Sequence, residues 1–309
     1  MDLKQIKFSL AVVINLLAAL TFGYFCFLGA NFYTLGDKGK SIAVAVIITL
    51  LLIGTSLGAK LLKQTKRNFK SRFIWEIVLL VLFSVLTASF TYYPFSHYFV
   101  VSAQKPTIQK KLSENIAQAQ NIYLEYENYV TTRIGIYSSK IDVAILNIDS
   151  QPKELEKFGI SRSVSVSLPI QKKNQIDKIN HILLPQNFNQ IKTNDSTWLT
   201  NAQNSVVNWE PISLVDVINN IENNTANSLN QLVKFSEKKG KNESYPKFSP
   251  DKPHPNNVKN YFTTIGRPSP FSIVLAFFSY LLMLLSWFIT KRDSRSTGAL
   301  TTAEYEIVL

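Results

Sequence analysis

Cysteine is almost absent from this chain. The single cysteine, Cys26, lies inside an apolar stretch near the N-terminus. One cysteine cannot form a disulfide within the chain, so any domain outside a membrane must fold without a covalent cross-link. We expect Cys26 to be a packing residue.

Residues 96–269 lack motifs for catalysis and for cofactor binding as well. This region contains no G-x-S-x-G, no H-E-x-x-H and no Gly-rich phosphate loop. Its three histidines, His97, His181 and His254, have no second His or Cys at the spacing of metal ligands. A pair of hydrolytic carboxylates drawn from residues such as Glu125 and Glu127 stays open. We predict a protein that is not an enzyme, with no catalytic residue, cofactor or metal.

What the chain has instead is long apolar runs, at residues 8–30, 41–62, 73–95 and 271–290. A helix needs about 20 residues to cross a hydrocarbon core about 30 Å thick, and each run is close to this length. The first run is too long for a signal-peptide core and lacks an A-x-A-like cleavage site. The pattern predicts an integral membrane protein with four transmembrane α-helices (3+1). A mainly helical α+β extracytoplasmic domain is expected as an insertion between helices 3 and 4.

Basic residues predict the orientation of these helices, because cytoplasmic loops carry an excess of Lys and Arg. The N-terminal flank, the loop after the second run and the flank after the fourth run are basic, and all three fall on one side if every run spans. We predict a multi-pass protein of the cell inner (plasma) membrane, with both termini cytoplasmic and residues 96–269 extracytoplasmic. The composition favours a bacterial source, and a eukaryotic secretory membrane stays open. The topology-setting residues are Lys60, Lys63, Lys66, Arg67, Lys70, Arg72, Lys291, Arg292 and Arg295.

The basic loop also invites comparison with a nucleic-acid patch. Its position between membrane helices favours topology and anionic headgroups as the explanation. The predicted partners are therefore membrane lipid and other envelope proteins, with a homo-oligomer as an open alternative and no nucleic acid.

Small residues four apart allow two helix backbones to approach closely. Gly54 and Gly58 have this spacing in the second run, and Ser84 and Ala88 have it in the third. We predict that they pack helices, either within one bundle or between subunits. Glu76 is expected as an interfacial charge, and the scarcity of ionisable residues at mid-membrane argues against an ion path.

A long helix is predicted over residues 104–146, where apolar residues recur every three or four positions. A narrow apolar line of this length must be covered, either by later helices of the same domain or by the same helix of another subunit. The predicted stalk seam consists of Ile108, Leu112, Ile116, Ala119, Tyr123, Tyr126, Val130 and Ile134.

Further on, alternation of Ser with apolar residues over 161–168 predicts a strand. Helical periodicity predicts short helices over 172–184 and 211–235. The predicted regions are a three-helix transmembrane region (1–95) with a basic cytoplasmic loop (60–72), an extracytoplasmic domain (96–240), a Pro-rich connector (241–270), a fourth transmembrane helix (271–290) and a short cytoplasmic tail (291–309).

Three classes of function remain. A non-enzymatic scaffold or anchor subunit of a larger envelope complex, such as a bacterial secretion or export apparatus, is favoured, because the membrane helices carry little polar chemistry and the tail is too short for an output domain. The alternative is a receptor-like protein whose helical domain binds a ligand and signals through a separate partner. The third is a membrane enzyme or carrier with a site built from scattered residues.

Overall fold

The computed structural model of the chain describes residues 10–64, 69–250 and 257–292. All regular structure within these ranges is helical. The chain divides into two compact units. One, called here the membrane unit, contains the described residues up to 105 and those from 259 onwards, and the other, the helical domain, is Pro106–Val258.

The membrane unit has four helical stretches that are long and apolar enough to cross a membrane. By length and composition this is a multi-pass membrane protein, which confirms the four predicted spans. The spans are Leu10–Tyr33, Lys38–Gln64, Ser71–Ala103 and Pro270–Ile289. The helices of this unit are α1 (Leu10–Tyr33), α2 (Lys38–Gln64), α3 (Phe69–Phe90), α4 (Ser96–Ala103), α10 (Lys259–Thr263) and α11 (Pro270–Ile289).

The third span is longer than its apolar run predicts. Helix α3 passes through a π-helical turn, Thr91–Phe95, into α4. Tyr93 has extended rather than helical dihedral angles inside this turn. Because the ring of Pro94 cannot donate a backbone hydrogen bond and crowds the preceding turn, it bends the helix at this point instead of ending it.

Aromatic side chains fill the interior of the membrane unit. Phe22 of α1 stacks on Phe95 with ring centroids 4.4 Å apart, and Leu52, Phe83 and Met283 are fully buried around them. Helix α11 begins where the hydroxyl of Ser269 accepts a hydrogen bond from the backbone N–H of Ser272, which is the standard way to satisfy a free helix-start amide.

Close backbone approach occurs at glycines that sequence spacing did not single out. A Cβ on Gly29 would lie 2.1 Å from the carbonyl oxygen of Pro94, and one on Gly23 would lie 1.9 Å from the Thr49 hydroxyl. A Cβ on Gly58 would lie 3.0 Å from a methyl of Leu79, whereas one on Gly54 would meet nothing within 4 Å. The closest approaches are therefore those of α1.

The two residues of the second predicted pair, Ser84 and Ala88, also differ in their surroundings. The hydroxyl of Ser84 lies 3.0 Å from that of Tyr280 and so joins α3 to α11. Ala88 is exposed on α3. Within one copy of the chain, Gly58 and Ser84 pack against neighbouring helices, and Gly54 and Ala88 face outwards.

In the described part of the helical domain, one long helix is followed by four shorter ones. Its elements are α5 (Lys105–Leu146), α6 (Pro152–Lys157), α7 (Leu168–Leu183), α8 (Phe188–Asn208) and α9 (Pro211–Glu237), and residues 238–250 follow without regular structure. A proline stands in the first turn of α6, α7 and α9. Proline suits this position because its missing N–H would have no partner in the helix.

The residues of the seam face the interior of this domain. Ile134 is half-buried, and the other seven are at most 5% exposed. Later helices of the same domain cover the seam: Gln109 of α5 donates to the carbonyl of Val206 in α8 at 2.7 Å, and Gln203 donates to Ser113 at 3.1 Å. Of the two ways to cover it, the structure uses the one within a single chain.

The strand predicted at residues 161–168 is wrong, and so is the α+β class, since the described part of the domain contains no strand. Residues 161–167 form turns and bends. The side chain of Gln171 occupies the backbone groups that a strand would have paired. It accepts from the N–H of Ser161 at 3.0 Å and donates to the carbonyls of Ser161 and Val166 at 2.9 and 2.6 Å.

Two further differences from the prediction concern an additional helix and the end of the domain. Helix α8 was not predicted, because its many Asn, Thr and Ser residues have weak helix propensity and obscure its apolar side. The domain continues to Val258, past the predicted end at residue 240, and the predicted connector contains α10.

We predict opposite effects of one extra methyl group at two glycines. Gly29→Ala drives a Cβ into the backbone of Pro94 and should cost about 1–3 kcal/mol. Gly54→Ala meets open space and should be neutral or stabilise by up to about 1 kcal/mol, since alanine favours the helix. Thermal unfolding of the purified chain in detergent measures both. Equal melting temperatures for the two variants would contradict the packing described for α1.

Candidate functional site

The first polar cluster of the membrane unit is built around Asn15. This side chain is fully buried in α1. Its amide donates to the hydroxyl of Ser286 at 3.2 Å and of Ser56 at 3.3 Å, and it also donates to the carbonyl of Met283. Because an unpaired amide is costly in an apolar environment, these contacts fasten α1 to α2 and α11.

The second cluster is an ion pair between Glu76 of α3 and Arg292, which lies three residues after the end of α11. Glu76 is 2% exposed. Both of its carboxylate oxygens accept from the guanidinium of Arg292, at 2.9 and 2.8 Å, and one also accepts from the indole N–H of Trp287 at 2.9 Å. The carboxylate is therefore held by Trp287 of α11 and by Arg292 just beyond this helix.

Lys63, near the end of α2, completes this cluster. Its ammonium donates to the carbonyl of Trp287 at 2.8 Å and lies 4.1 Å from the centre of the indole ring. The cluster thus ties three helices together at one end of the unit. An ionisable residue in a membrane helix raises the hypothesis of a transport function, but the observed partners are those of a helix-to-helix fastening.

The other residues that the sequence predicts to set the topology have varied surroundings. Lys60 is buried in α2, Arg72 is half-buried in α3 and Lys291 is exposed. Lys70 lies in α3. Lys66, Arg67 and Arg295 lie outside the described residues.

In the helical domain, the buried ion pair between Arg133 and Glu243 is the most extensive polar contact. The two side chains are 0% and 3% exposed, with an N–O distance of 2.5 Å. The guanidinium also donates to the carbonyls of Ser236 and Lys238, both at 2.6 Å, and to the hydroxyl of Tyr129 at 2.8 Å. All three nitrogens of the guanidinium are engaged.

This ion pair shifts the pKa of its carboxyl group. Burial by itself would raise the pKa of Glu243, but hydrogen bonds from Arg133 and from the N–H of Gly240 outweigh burial, and the pKa falls below its ordinary 4.5. Glu243 is therefore charged at neutral pH and remains so into mild acid.

The ion pair fixes the segment that follows α9 against α5. On one side of Glu243, the carbonyl of Lys241 accepts from the hydroxyl of Tyr137 at 3.0 Å. Further along, the backbone N–H of Phe248 donates to Ser236 at 2.9 Å, and the Phe248 ring is buried in the domain core. Residues 238–248, which contain no helix, are thus held by specific contacts.

A groove opens beside this segment. Its volume is about 520 Å³, and it lies between the C-terminal half of α5, the short helix α6 and Asn242. Pockets that bind small ligands have volumes of about 300–1,000 Å³. On α5 the lining includes Ile136 and Val143, which are 41% and 56% exposed. Both lie off the seam, on the outward side of the helix.

Sequence reasoning missed both the groove and the ion pair. Ile136 and Val143, seven positions apart and off the seam, were the available signal for the groove. The pairing of Arg133 with Glu243 joins residues 110 positions apart, and no local pattern announces such a contact. In the part of the chain that the structure describes, no cluster of three His, Cys, Asp or Glu residues could hold a metal ion.

Comparison of the chain with protein-family models, with curated proteins and with solved structures gave no match.

We predict that the ion pair makes the helical domain sensitive to acid. A carboxyl whose folded-state pKa is lowered adds stability above its ordinary pKa of 4.5, and that stability is lost as the pH falls through the folded-state value. Glu243→Gln leaves Arg133 buried without a counter-charge and should cost about 3–5 kcal/mol at neutral pH. The variant should also lose less stability than the wild type between pH 7 and pH 3.

Thermal unfolding of the full-length chain in detergent, followed by circular dichroism, tests this prediction. Glu154→Gln is the matched control, because Glu154 pairs with Lys157 on the surface, where such pairs are worth about 0–1 kcal/mol. Similar melting temperatures for the two variants would show that the buried pair does not stabilise the domain.

Proposed function

We propose that this protein is a non-enzymatic scaffold or anchor subunit of a larger envelope complex, such as a bacterial secretion or export apparatus. The membrane unit holds the chain in the inner membrane. The helical domain binds another envelope protein on the extracytoplasmic side, and both termini are cytoplasmic.

The groove on the helical domain is the observation that supports this proposal. It is open, it has exposed aliphatic residues on one wall, and the buried pair of Arg133 and Glu243 holds the segment that forms another wall. A surface prepared in this way lowers the entropy cost of binding. In the membrane unit, by contrast, the side chains of Glu76 and Asn15 form their hydrogen bonds within the unit, with Arg292 and Ser286 respectively.

A receptor-like function is the second candidate, and the size of the groove favours it. A volume of about 520 Å³ accommodates a small molecule. In that case the helical domain binds a ligand and the signal passes to a separate cytoplasmic partner.

Purification in mild detergent from the native membrane tests the scaffold function. We expect the tagged chain to migrate as a high-mass assembly with stable protein partners. A tagged chain with Glu243→Gln should lose these partners if the domain provides the contact. Glu127→Gln should keep them, because Glu127 pairs with Lys192 and does not line the groove. A monomer or small homo-oligomer without partners would count against a scaffold and in favour of a receptor.

The orientation can be tested with two single cysteines, because the native Cys26 is fully buried. Gln190→Cys lies on an exposed position of α8, and Gln64→Cys lies on an exposed position at the end of α2. An impermeant maleimide should label Gln190→Cys on intact spheroplasts and Gln64→Cys only after permeabilisation. The reverse pattern would overturn the proposed topology.

A further inference from the structure

The groove on the helical domain combines aliphatic and amide surfaces. Ile136 and Val143 supply exposed aliphatic surface from α5. Asn147, Gln151 and Asn242 add side-chain amides to the lining, and all three residues are exposed. A carboxamide both donates and accepts hydrogen bonds, as a peptide group does.

These amides are free to bind an occupant. No hydrogen bond joins the side chains of Asn147, Gln151 or Asn242 to another group in residues 69–250. An extended polypeptide offers the same alternation of N–H and C=O groups along its backbone, so its main chain complements such a lining.

The position of Asn242 is set before any occupant arrives. Its backbone lies in the left-handed region, with φ of 55°. The flanking residues are tied down on both sides, since Tyr137 binds the carbonyl of Lys241 at 3.0 Å and Arg133 binds the carboxylate of Glu243. Asparagine tolerates this conformation better than most residues. The amide of Asn242 is thus presented from a fixed backbone.

One cation of the groove is available to bind an anionic group. Lys140 lines the groove and is exposed, and no carboxylate among the described residues pairs with it. Glu154 also lines the groove, but its carboxylate already pairs with Lys157 at 2.5 Å. One cation is therefore left to complement a negative charge on an occupant.

Aromatic surface is scarce here. Among the described residues of the lining, Phe158 alone is aromatic, and it is 4% exposed because its ring packs against Tyr137. Sugars and nucleobases are commonly bound by stacking on exposed rings, which this lining does not offer. Aliphatic side chains and amides instead match a peptide.

We propose, on the basis of the scaffold function above, that this groove binds an extended polypeptide segment of a partner protein and that a carboxylate of that segment pairs with Lys140. The carboxylate belongs either to a C-terminus or to an Asp or Glu side chain. The amides of Asn147, Gln151 and Asn242 bind the main chain, and Ile136 and Val143 contact its side chains.

Three libraries of random hexapeptides test the proposal on the full-length protein in detergent, with bound peptides identified by mass spectrometry. The first has a free C-terminus and no Asp or Glu, the second has an amidated C-terminus and one fixed Glu, and the third has an amidated C-terminus and Gln in place of that Glu. We expect enrichment of the first or the second over the third. The library that is enriched identifies the source of the carboxylate.

Substitutions locate the binding. Lys140→Met should reduce the enrichment about tenfold, as expected for loss of one charge-assisted contact. Asn242→Gly removes the amide but keeps the left-handed backbone available, and it should also reduce binding. Lys178→Met is the matched control, because Lys178 is exposed on α7 and does not line the groove. Circular dichroism checks that each variant is folded.

Equal enrichment of the third library would overturn the carboxylate contact. Undiminished binding to the Lys140→Met protein, or no enrichment of any peptide, would overturn the groove as the site. The scaffold function fails by a different measurement: a chain that binds carboxylate peptides through Lys140 but purifies from its membrane without partners keeps the groove and loses the scaffold.

Discussion

The buried pair of Arg133 and Glu243 is the contact on which the helical domain depends. An arginine in the middle of a long helix is unfavourable in an apolar core unless every N–H finds an acceptor. Here the acceptors come from the end of α9 and from the segment behind it. Satisfying one charge therefore fixes residues 238–243 against α5. The same contact holds the segment that carries Asn242, so one wall of the groove depends on the hydrogen bonds of a single guanidinium group.

The membrane unit follows the same physical rule with different residues. Its helices are apolar on nearly all sides, and the hydrophobic effect gives little preference for one neighbour over another inside a membrane. Specific pairing of helices then comes from buried polar groups that need hydrogen-bond partners and from small residues that let two helix backbones approach closely. Asn15 joins α1 to α11, Glu76 joins α3 to the residues after α11, and Gly29 allows α1 to reach the turn at Pro94. Each of these contacts selects one helix arrangement out of many that would bury similar apolar area.

Patterns that act over short distances were readable in the sequence, and contacts across long distances were not. The four spans and the seam of α5 follow from runs and periods of apolar residues, which are local properties. The strand predicted at residues 161–168 does not form. Alternation of polar and apolar residues shows only that a segment is compatible with a strand, and here the side chain of Gln171 hydrogen-bonds to the backbone of Ser161. Helix α8 was hidden by its polar composition. The partner of Arg133 and the groove depend on which distant segments meet, and a single sequence contains no sign of that choice.

The separation of Arg133 from Glu243 along the chain also bears on biogenesis. The two residues are 110 positions apart. At synthesis rates of about 5–20 residues per second, Arg133 is added to the chain roughly 6–22 s before its counter-charge. During that interval α5 cannot bury this part of its surface at low cost, so a factor that shields nascent chains would find its target there. The domain can close only when the last part of its sequence has arrived, which makes truncated products of this gene candidates for rapid removal by quality-control proteases.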